Sequence, residues 1–345
     1  MSTVEQKAGG VAVEERPATS GSNNQVCKSC TLETETAERG TKRKLGADVS
    51  GLCKKPTTDA VAVASYSFKG YVAERQGERE EMQDAHVVLD TFLSPDTESQ
   101  LCCSYYAVFD GHGGTRASKH AAEHLHRNLK ERLPKDASRI EADIKKCFID
   151  VFKKTDEEFL KLAKKNKPVW KDGSTAVAVL AINSTLYIAN LGDSKAVLCR
   201  FDAAGKMAMP IPLTKDHNAT LYDERKRIQK AGGKVIDGRV MGVLEVSRSI
   251  GDGPYKKHGV SCIPDIKRCQ LTENDRYVLI ACDGLWKAFD NRTAIEFINK
   301  VLNDPKIEKM AEKYEAACSR LASEAVRKLS ADNVTVMLVH IANTR

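Results

Sequence analysis

Residues 105–114 read YYAVFDGHGG: five apolar or aromatic residues run into an acid, and a histidine follows among three glycines. The apolar run suits a buried strand. A carboxylate tucked against the end of such a strand is costly to ionise unless hydrogen bonds, a cation or a metal compensate it. The same arrangement recurs downstream: RYVLIACDG places Asp283 at the end of a strand just before Gly284, and in ADNVTVMLVHI Asp332 stands at the start of one. Any single Asp-Gly pair reads equally well as a strand-terminating turn. If the three strands are neighbours, however, several oxygens meet in one place, where mutual repulsion raises their pKa values unless divalent ions neutralise them.

Outward from this stretch, short β-branched and aromatic runs bounded by turn residues predict strands at VAVASYSF, AHVVLDTF, LCCSYYAVF, STAVAVLAI, TLYIANL, KAVLCRF, RYVLIAC and NVTVMLVHI. Several are separated by only a few residues, which favours antiparallel pairing, because a parallel crossover needs a dozen or more. Helices announce themselves by period. After Thr115 as N-cap, Ala117, Ala121, Leu125 and Leu129 recur every fourth residue up to Pro134; Ile140, Ile144, Phe148, Val151 and Phe159 mark a second helix; Ile307, Met310, Tyr314, Ala317 and Leu321 mark a third. Two sheets with helices packed outside them, a layered α+β architecture, would bury all of these faces together.

The chain has 345 residues, 41% of them apolar, enough for a substantial core. Basic and acidic residues, 54 against 47, are mixed along the chain, and aromatics make up only 6%, so no nucleic-acid surface is expected. No signal peptide or membrane span is read from the N-terminus, and the expected location is cytoplasmic, with a possible nuclear share from the run Thr41-Lys42-Arg43-Lys44. The 11 cysteines include Cys102, Cys103, Cys199 and Cys282 inside apolar strands, as reduced core thiols would be. Cys27 and Cys30 form one CxxC, but only Cys53 lies nearby, short of the four ligands of a structural zinc. Residues 1–60 lack both strand and helix periodicity and are read as a disordered tail; residues 61–343 are read as one domain.

A site built from carboxylate oxygens favours hard cations, Mg²⁺ or Mn²⁺, over zinc. Gly111, having no Cβ, would let its backbone approach an ion and offer a carbonyl ligand. His112 sits beyond a strand among glycines, where it is either a surface loop residue or, beside a metal site, a general acid for a leaving alkoxide. Upstream, GEREEMQDAH offers Arg79, whose guanidinium matches two phosphate oxygens, and Asp84, suited to holding metal-bound water.

In order along the chain stand REEMQDAH (79–86), VFDGHGG (108–114), DGSTAVAVL (172–180), NLGDSKAVL (190–198), LTKDH (213–217), ERKRIQKAGG (224–233), LEVSRSIGD (244–252), ACDGLW (281–286) and ADNVTV (331–336). With these nine segments the sequence closely resembles the metal-dependent serine/threonine protein phosphatases of type 2C, from about Ser65 to Ile341. The resemblance implies a four-layer αββα sandwich, two central antiparallel sheets flanked by helices, with two Mg²⁺ or Mn²⁺ ions at one end. It implies Asp110 as bridging ligand, Gly111 as carbonyl ligand of one ion, Asp283 and Asp332 as ligands of the other, and Asp84 as an acid holding metal waters. Arg79 would clamp the phosphate and His112 would protonate the departing oxygen, with a metal-activated hydroxide as nucleophile. Phosphoproteins are the implied substrates of a monomeric signalling enzyme. The GEREEMQDAH and DGLWK segments with the lysine-bearing N-terminal extension point to a kinase-associated branch, and so to a kinase or its complex as partner.

Two departures from the family pattern bear on the metals. Gln83 stands where many members carry Glu, and Lys287 replaces the aspartate that commonly follows DGxW, which predicts that a third, looser ion shared with Asp193 is weak or missing. The segment between Asp216 and Pro264 resembles the flap beside the substrate groove, with Lys256, Lys257 and His258 available to acidic partners. Cys282 is no phosphatase nucleophile, because the arginine that would close a thiol-phosphatase loop is replaced by Ala288. The competing class is a silent scaffold of the same fold that binds kinases or phosphoproteins, and such a form would be expected to lack one or more of Asp110, Asp283 and Asp332.

Overall fold

The computed structural model describes residues 66–93, 103–134, 136–328 and 330–343. The tail, its CxxC and its basic run lie outside the described residues. In chain order the elements are β1 (Tyr66–Arg75), β2 (Ala85–Leu93), β3 (Cys103–Phe109), β4 (Gly111–His112), α1 (Arg116–Arg132), α2 (Ala137–Lys164), β5 (Gly173–Ser174), β6 (Ala176–Ile182), β7 (Thr185–Leu191) and β8 (Lys195–Phe201). They continue with β9 (Ala208–Pro212), α3 (Tyr222–Lys230), β10 (Val235–Ile236), β11 (Arg239–Val240), β12 (Ile250–Gly251), α4 (Gly253–Lys256), β13 (Asp265–Gln270), β14 (Asp275–Ala281), α5 (Asp283–Trp286), α6 (Asn291–Leu302), α7 (Met310–Arg327) and β15 (Val334–Asn343). One five-stranded sheet has the order β1, β15, β14, β8, β9 and the other β13, β7, β6, β3, β2; every pairing in both is antiparallel.

The unbroken apolar run that opens the sequence reading follows from burial on both faces. Successive side chains of a strand point to opposite faces. In β3, Tyr105, Ala107 and Phe109 pack with Leu125, Leu129, Phe148 and Phe152 of α1 and α2, whereas Tyr106 and Val108 pack with Leu198, Val278, Ile280 and Met337 of the other sheet. On the far side, Leu279, Tyr277 and Leu338 meet Ala294, Ile298, Ala317 and Leu321 of α6 and α7. The four layers are therefore helix, sheet, sheet and helix, as the sequence implied.

Some boundaries differ from expectation for physical reasons. The first strand runs on through YVAER to Arg75, because its partner β15 is equally long and pairs from Tyr66↔Asn343 to Arg75↔Val334. The segments AMPIP (β9) and DIKRCQ (β13) are strands that the apolar pattern did not reveal, since each lies at a sheet edge and carries proline or charge. Helix α6 was also unforeseen, although Asp290 caps it by accepting from Thr293 N at 2.7 Å. In the third predicted helix, Ile307 precedes the first turn and Met310 is exposed, so the buried stripe begins at Tyr314. Thr115 stands at the start of α1, but its side chain makes no cap.

Between the sheets' loops, residues 216–264 form a small unit with its own apolar cluster of Ala219, Ile228, Val240, Leu244, Val246 and Val260. Its anchor is a buried carboxylate. Glu224 Oε1 accepts from Arg248 Nη2 at 2.6 Å, and Glu224 Oε2 accepts from Arg227 Nη2 at 2.8 Å and Ser247 Oγ at 2.5 Å. Arg248 Nη1 also donates to Asp265 Oδ1 at 2.7 Å, which ties the unit to β13. Lys256, expected to face acidic partners, instead turns inward to Ser249 O at 2.7 Å and Asp156 Oδ1 at 3.0 Å.

Burial opposes ionisation of Glu224, but the hydrogen bonds from Arg248, Arg227 and Ser247 outweigh it and hold its pKa well below the ordinary 4.5. A depressed folded pKa contributes stability that is present above 4.5 and lost as pH falls through the folded value. Urea unfolding of Glu224→Gln should therefore show a deficit of roughly 3–5 kcal/mol at pH 7, the scale of a broken buried pair. The gap between variant and parent should narrow as pH is lowered beneath 4.5; a gap that does not change with pH would refute the ionic anchor.

Candidate functional site

Face-to-face packing of the two sheets brings the end of β3 beside the end of β14, and with them Asp110 and Asp283. Asp283 N donates to Asp110 Oδ2 at 3.4 Å. Asp110 is held from behind by Thr175: its carbonyl accepts from Thr175 N at 2.9 Å and its N–H donates to Thr175 Oγ1 at 3.2 Å. Asp84, just ahead of β2, is buried, and its Oδ2 accepts from Thr335 Oγ1 at 2.7 Å. One oxygen each of Asp84 and Asp110 and the Cys282 sulfur lie within 4.8 Å of one another. Asp110 and Asp283 open into a cleft of about 490 Å³ that is also lined by Arg79, His112, Asp193, Lys287 and Asp332.

The charges in this cleft are unevenly compensated. Burial, followed by the charges of Asp84 and Asp283, pushes the Asp110 carboxyl far above the usual range. Burial likewise raises Asp84 to about 6 and, with the charge of Asp283, raises Asp193 to about 7. Asp332 goes the other way: burial opposes its ionisation, yet Lys287 and Arg79 lower its pKa overall. Lys287 Nζ lies 2.7 Å from both Asp283 Oδ2 and Asp332 Oδ2, and Arg79 places Nε and Nη2 each 3.0 Å from Asp332. The ammonium expected near a third-ion position thus spans the two acids assigned to the second ion.

Asn333 governs how the Arg79 loop meets β15. Its Oδ1 accepts from Gln83 N at 2.8 Å, and its Nδ2 donates to Gln76 O at 2.8 Å and Glu81 O at 3.1 Å. Gln83 spends its own side chain on Glu81 Oε1, 2.9 Å away. Gly111 has a packing reason to lack a side chain: a Cβ there would stand 2.2 Å from Gln83 O and 2.8 Å from Ser118 Oγ. His112 is turned towards the 216–264 unit, with Nε2 2.7 Å from Asp252 Oδ2. Burial works against its protonation, but the Asp252 charge and hydrogen bond prevail and raise its pKa.

Of the residues assigned to the site from sequence, Arg79, Asp110, Gly111, His112, Asp283 and Asp332 line this one cleft, and Asp84 has an oxygen within 4.8 Å of one of Asp110, whereas Lys256, Lys257 and His258 lie outside its lining. Asp193, named from sequence only in connection with a third ion, lies in the cleft as well. Sequence reasoning missed Asp252, Asn333 and Thr335; only the hydroxyl and amide types near LEVSRSIGD and ADNVTV hinted at them. The donor set suits a hard cation: oxygens of Asp84 and Asp110 converge, no ion pair to either is made among the described residues, and the Gly111 carbonyl stands next in sequence. Cys282 is fully buried, its thiol pKa is raised by burial, and its sulfur accepts from Thr335 N at 3.1 Å, which leaves it no part as a nucleophile.

A family profile described as Protein phosphatase 2C matches residues 68–334. The chain is 53% identical over 338 residues to the "Integrin-linked kinase-associated serine/threonine phosphatase 2C" of Bos taurus, covering 94% of this chain and 91% of that one. Among solved structures it resembles "Structure of a C.elegans sex determining protein" with a TM-score of 0.68 and 28% identity, covering 79% of this chain and 65% of that one. It also resembles a Toxoplasma gondii serine-threonine phosphatase 2C, TM-score 0.66 at 20% identity over 80% of this chain and 95% of the other, a likeness of fold.

A carboxyl whose folded pKa is raised binds more protons folded than unfolded, so it costs stability as pH climbs from its ordinary 3.8 through the raised value. For Asp193 that window ends at about 7. In EDTA, Asp193→Asn should melt several degrees above the parent at pH 8, with the difference vanishing near pH 4. Equal melting temperatures at pH 8 would contradict the strain assigned to this acid.

Proposed function

This chain belongs to the protein phosphatase 2C family of metal-dependent serine/threonine phosphatases, and we propose that its cleft hydrolyses phosphoserine and phosphothreonine in proteins with the help of two Mg²⁺ or Mn²⁺ ions. One observation supports this reading above others: Asp110, Asp283 and Asp332, drawn from distant segments, meet a guanidinium and an imidazole in a single cleft, with an oxygen of Asp84 within 4.8 Å of one of Asp110. Asp110, Asp84 and the Gly111 carbonyl are the residues for one ion, and Asp110 with Asp283 and Asp332 for the other. Bound there, hard divalent ions supply Lewis acidity and an activated water.

The chain's own groups do the rest. Arg79 presents Nε and Nη2 as a fork that already matches the two oxygens of Asp332, and the same fork suits two oxygens of a phosphoryl group. His112 delivers a proton to the departing serine or threonine oxygen. Lys287 contributes a positive charge, paired with Asp283 and Asp332, where other members place an acid, so a third ion is held weakly or not at all. By likeness to the kinase-associated relatives, the partner is a kinase or its complex, and the basic run at 42–44 supports a nuclear as well as a cytoplasmic location.

Hydrolysis of a phosphothreonine peptide should require Mn²⁺ or Mg²⁺, stop in EDTA, and fall by at least roughly 10²-fold in Asp283→Asn, since ligand loss removes several kcal/mol of charge stabilisation. Turnover in EDTA would end this reading, and silence with every divalent ion would favour a scaffold. Titration calorimetry with Mn²⁺ should find one more ion bound to Lys287→Asp than to the parent, and the variant should turn over faster at limiting Mn²⁺. An unchanged stoichiometry would remove the role given to Lys287.

A further inference from the structure

His112 and Asp252 are 140 residues apart, yet a three-stranded ribbon of two-residue strands brings them together. In that ribbon His112 of β4 pairs with Gly173 of β5, and Gly173 pairs with Gly251 of β12. The imidazole reaches across Gly173 to the residue after Gly251. A Cβ on Gly173 would stand 2.2 Å from His112 Nε2 and 2.2 Å from Asp252 Oδ2, in the middle of their hydrogen bond. The empty side-chain position is what lets the two groups touch.

Asp252 is built for this contact. Only 2% exposed, it has the left-handed backbone of φ 52°, which a non-glycine residue adopts at a cost. Its Oδ2 accepts from Ser249 Oγ at 2.6 Å, and its N–H donates to Asp172 O at 2.9 Å. Lys256 and Gly251 N both hold Asp156 of α2, at 3.0 and 2.7 Å, which anchors the turn carrying Asp252 to a helix. An ionised carboxylate only accepts hydrogen bonds, so Nε2 must be the donor and Nδ1 is the nitrogen left for the cleft. An acid in this place holds one tautomer, sets the ring orientation and favours the protonated ring.

We propose that Asp252, steadied by Ser249 and reaching His112 across the bare backbone of Gly173, is the positioning residue of the proton donor, so that Nδ1 of His112 faces the departing oxygen. This inference rests on His112 acting as the acid in the reaction proposed above. It adds a part of the chain outside the carboxylate cluster to the proton-delivering machinery.

The test compares a phosphothreonine peptide, whose alkoxide leaving group needs a proton, with 4-nitrophenyl phosphate, whose phenolate does not. In Mn²⁺-loaded enzyme, Asp252→Asn should lower kcat for the peptide by roughly 10–100-fold, no more than the lower end of general-acid effects because the acid itself remains, and change the aryl ester less than about threefold. KM for the peptide should hold. Gly173→Ala should show the same split, and Asp252→Asn added to His112→Gln should cost nothing further. Equal losses on both substrates, or additive losses in the double variant, would overturn the proposal. If His112→Gln itself shows no split, the acid assignment falls and this inference with it; a split in His112→Gln but not in Asp252→Asn overturns this inference alone. Should Asp252→Asn not fold, long-range ¹H–¹⁵N correlations of His112 in the parent decide: a neutral ring protonated at Nε2 agrees, and one protonated at Nδ1 does not.

Discussion

The face-to-face packing of two apolar sheets is what forces like charges into one cleft. Tyr106, Val108, Val177 and Val179 of one sheet interlock with Leu198, Val278, Ile280 and Met337 of the other, and all are buried. Asp110 and Asp283 stand one and two residues past the last residues of two of these strands, Phe109 and Ala281. Two like charges about 4 Å apart repel by roughly 4 kcal/mol at the effective dielectric of a protein surface. Burial of a single large apolar side chain contributes roughly 1.5–3 kcal/mol, so a few interlocked residues outweigh one such pair. The core can therefore hold the acids in a strained electrostatic state that divalent ions relieve.

That core was legible because burial on both faces leaves runs with no polar break. TLYIANL and KAVLCRF were placed to the residue, and Ala117, Ala121, Leu125 and Leu129 are all buried on α1 as their spacing implied. Legibility failed where one edge of a strand faces solvent. Pro210 and Pro212 in β9 look like turn residues, yet proline suits an edge strand, where missing N–H groups deny a foreign strand its partners. In β13 the charges of DIKRCQ do the same service and hide the strand from any apolar count. For α6 the signal was present in Ala294, Ile295, Ile298 and Val301, all buried behind the Asp290 cap.

The acids were legible as a set because each ends or begins an apolar run, but their partners were not. Lys287 lies four residues after Asp283, so that contact was within reach of helical spacing; its second contact, to Asp332, depends on the register that brings β14 beside β15. Asn333 and Thr335 act through β15, one by its amide on the Arg79 loop and the other by its hydroxyl on Asp84. Nothing in their neighbours' spacing marks either. The pairing of His112 with Asp252 is more hidden still, because strands of two residues carry no periodicity at all.

The result is a cleft whose two tasks hang from different parts of the fold. Asp110 and Asp283 follow β3 and β14 within two residues and Asp84 directly precedes β2, strands whose positions are set by the two sheets. His112 belongs by sequence to the same turn as Asp110, but its ring is held through Asp252 by that unit and by α2. The carboxylates proposed to hold ions thus adjoin the sheets, and the histidine proposed to deliver the proton is tied to the surface unit that rims the cleft through Arg239, Val243 and Tyr255. The rim is therefore linked to the histidine through Asp252, whereas Asp283 and Asp332 are paired with Lys287 and Arg79.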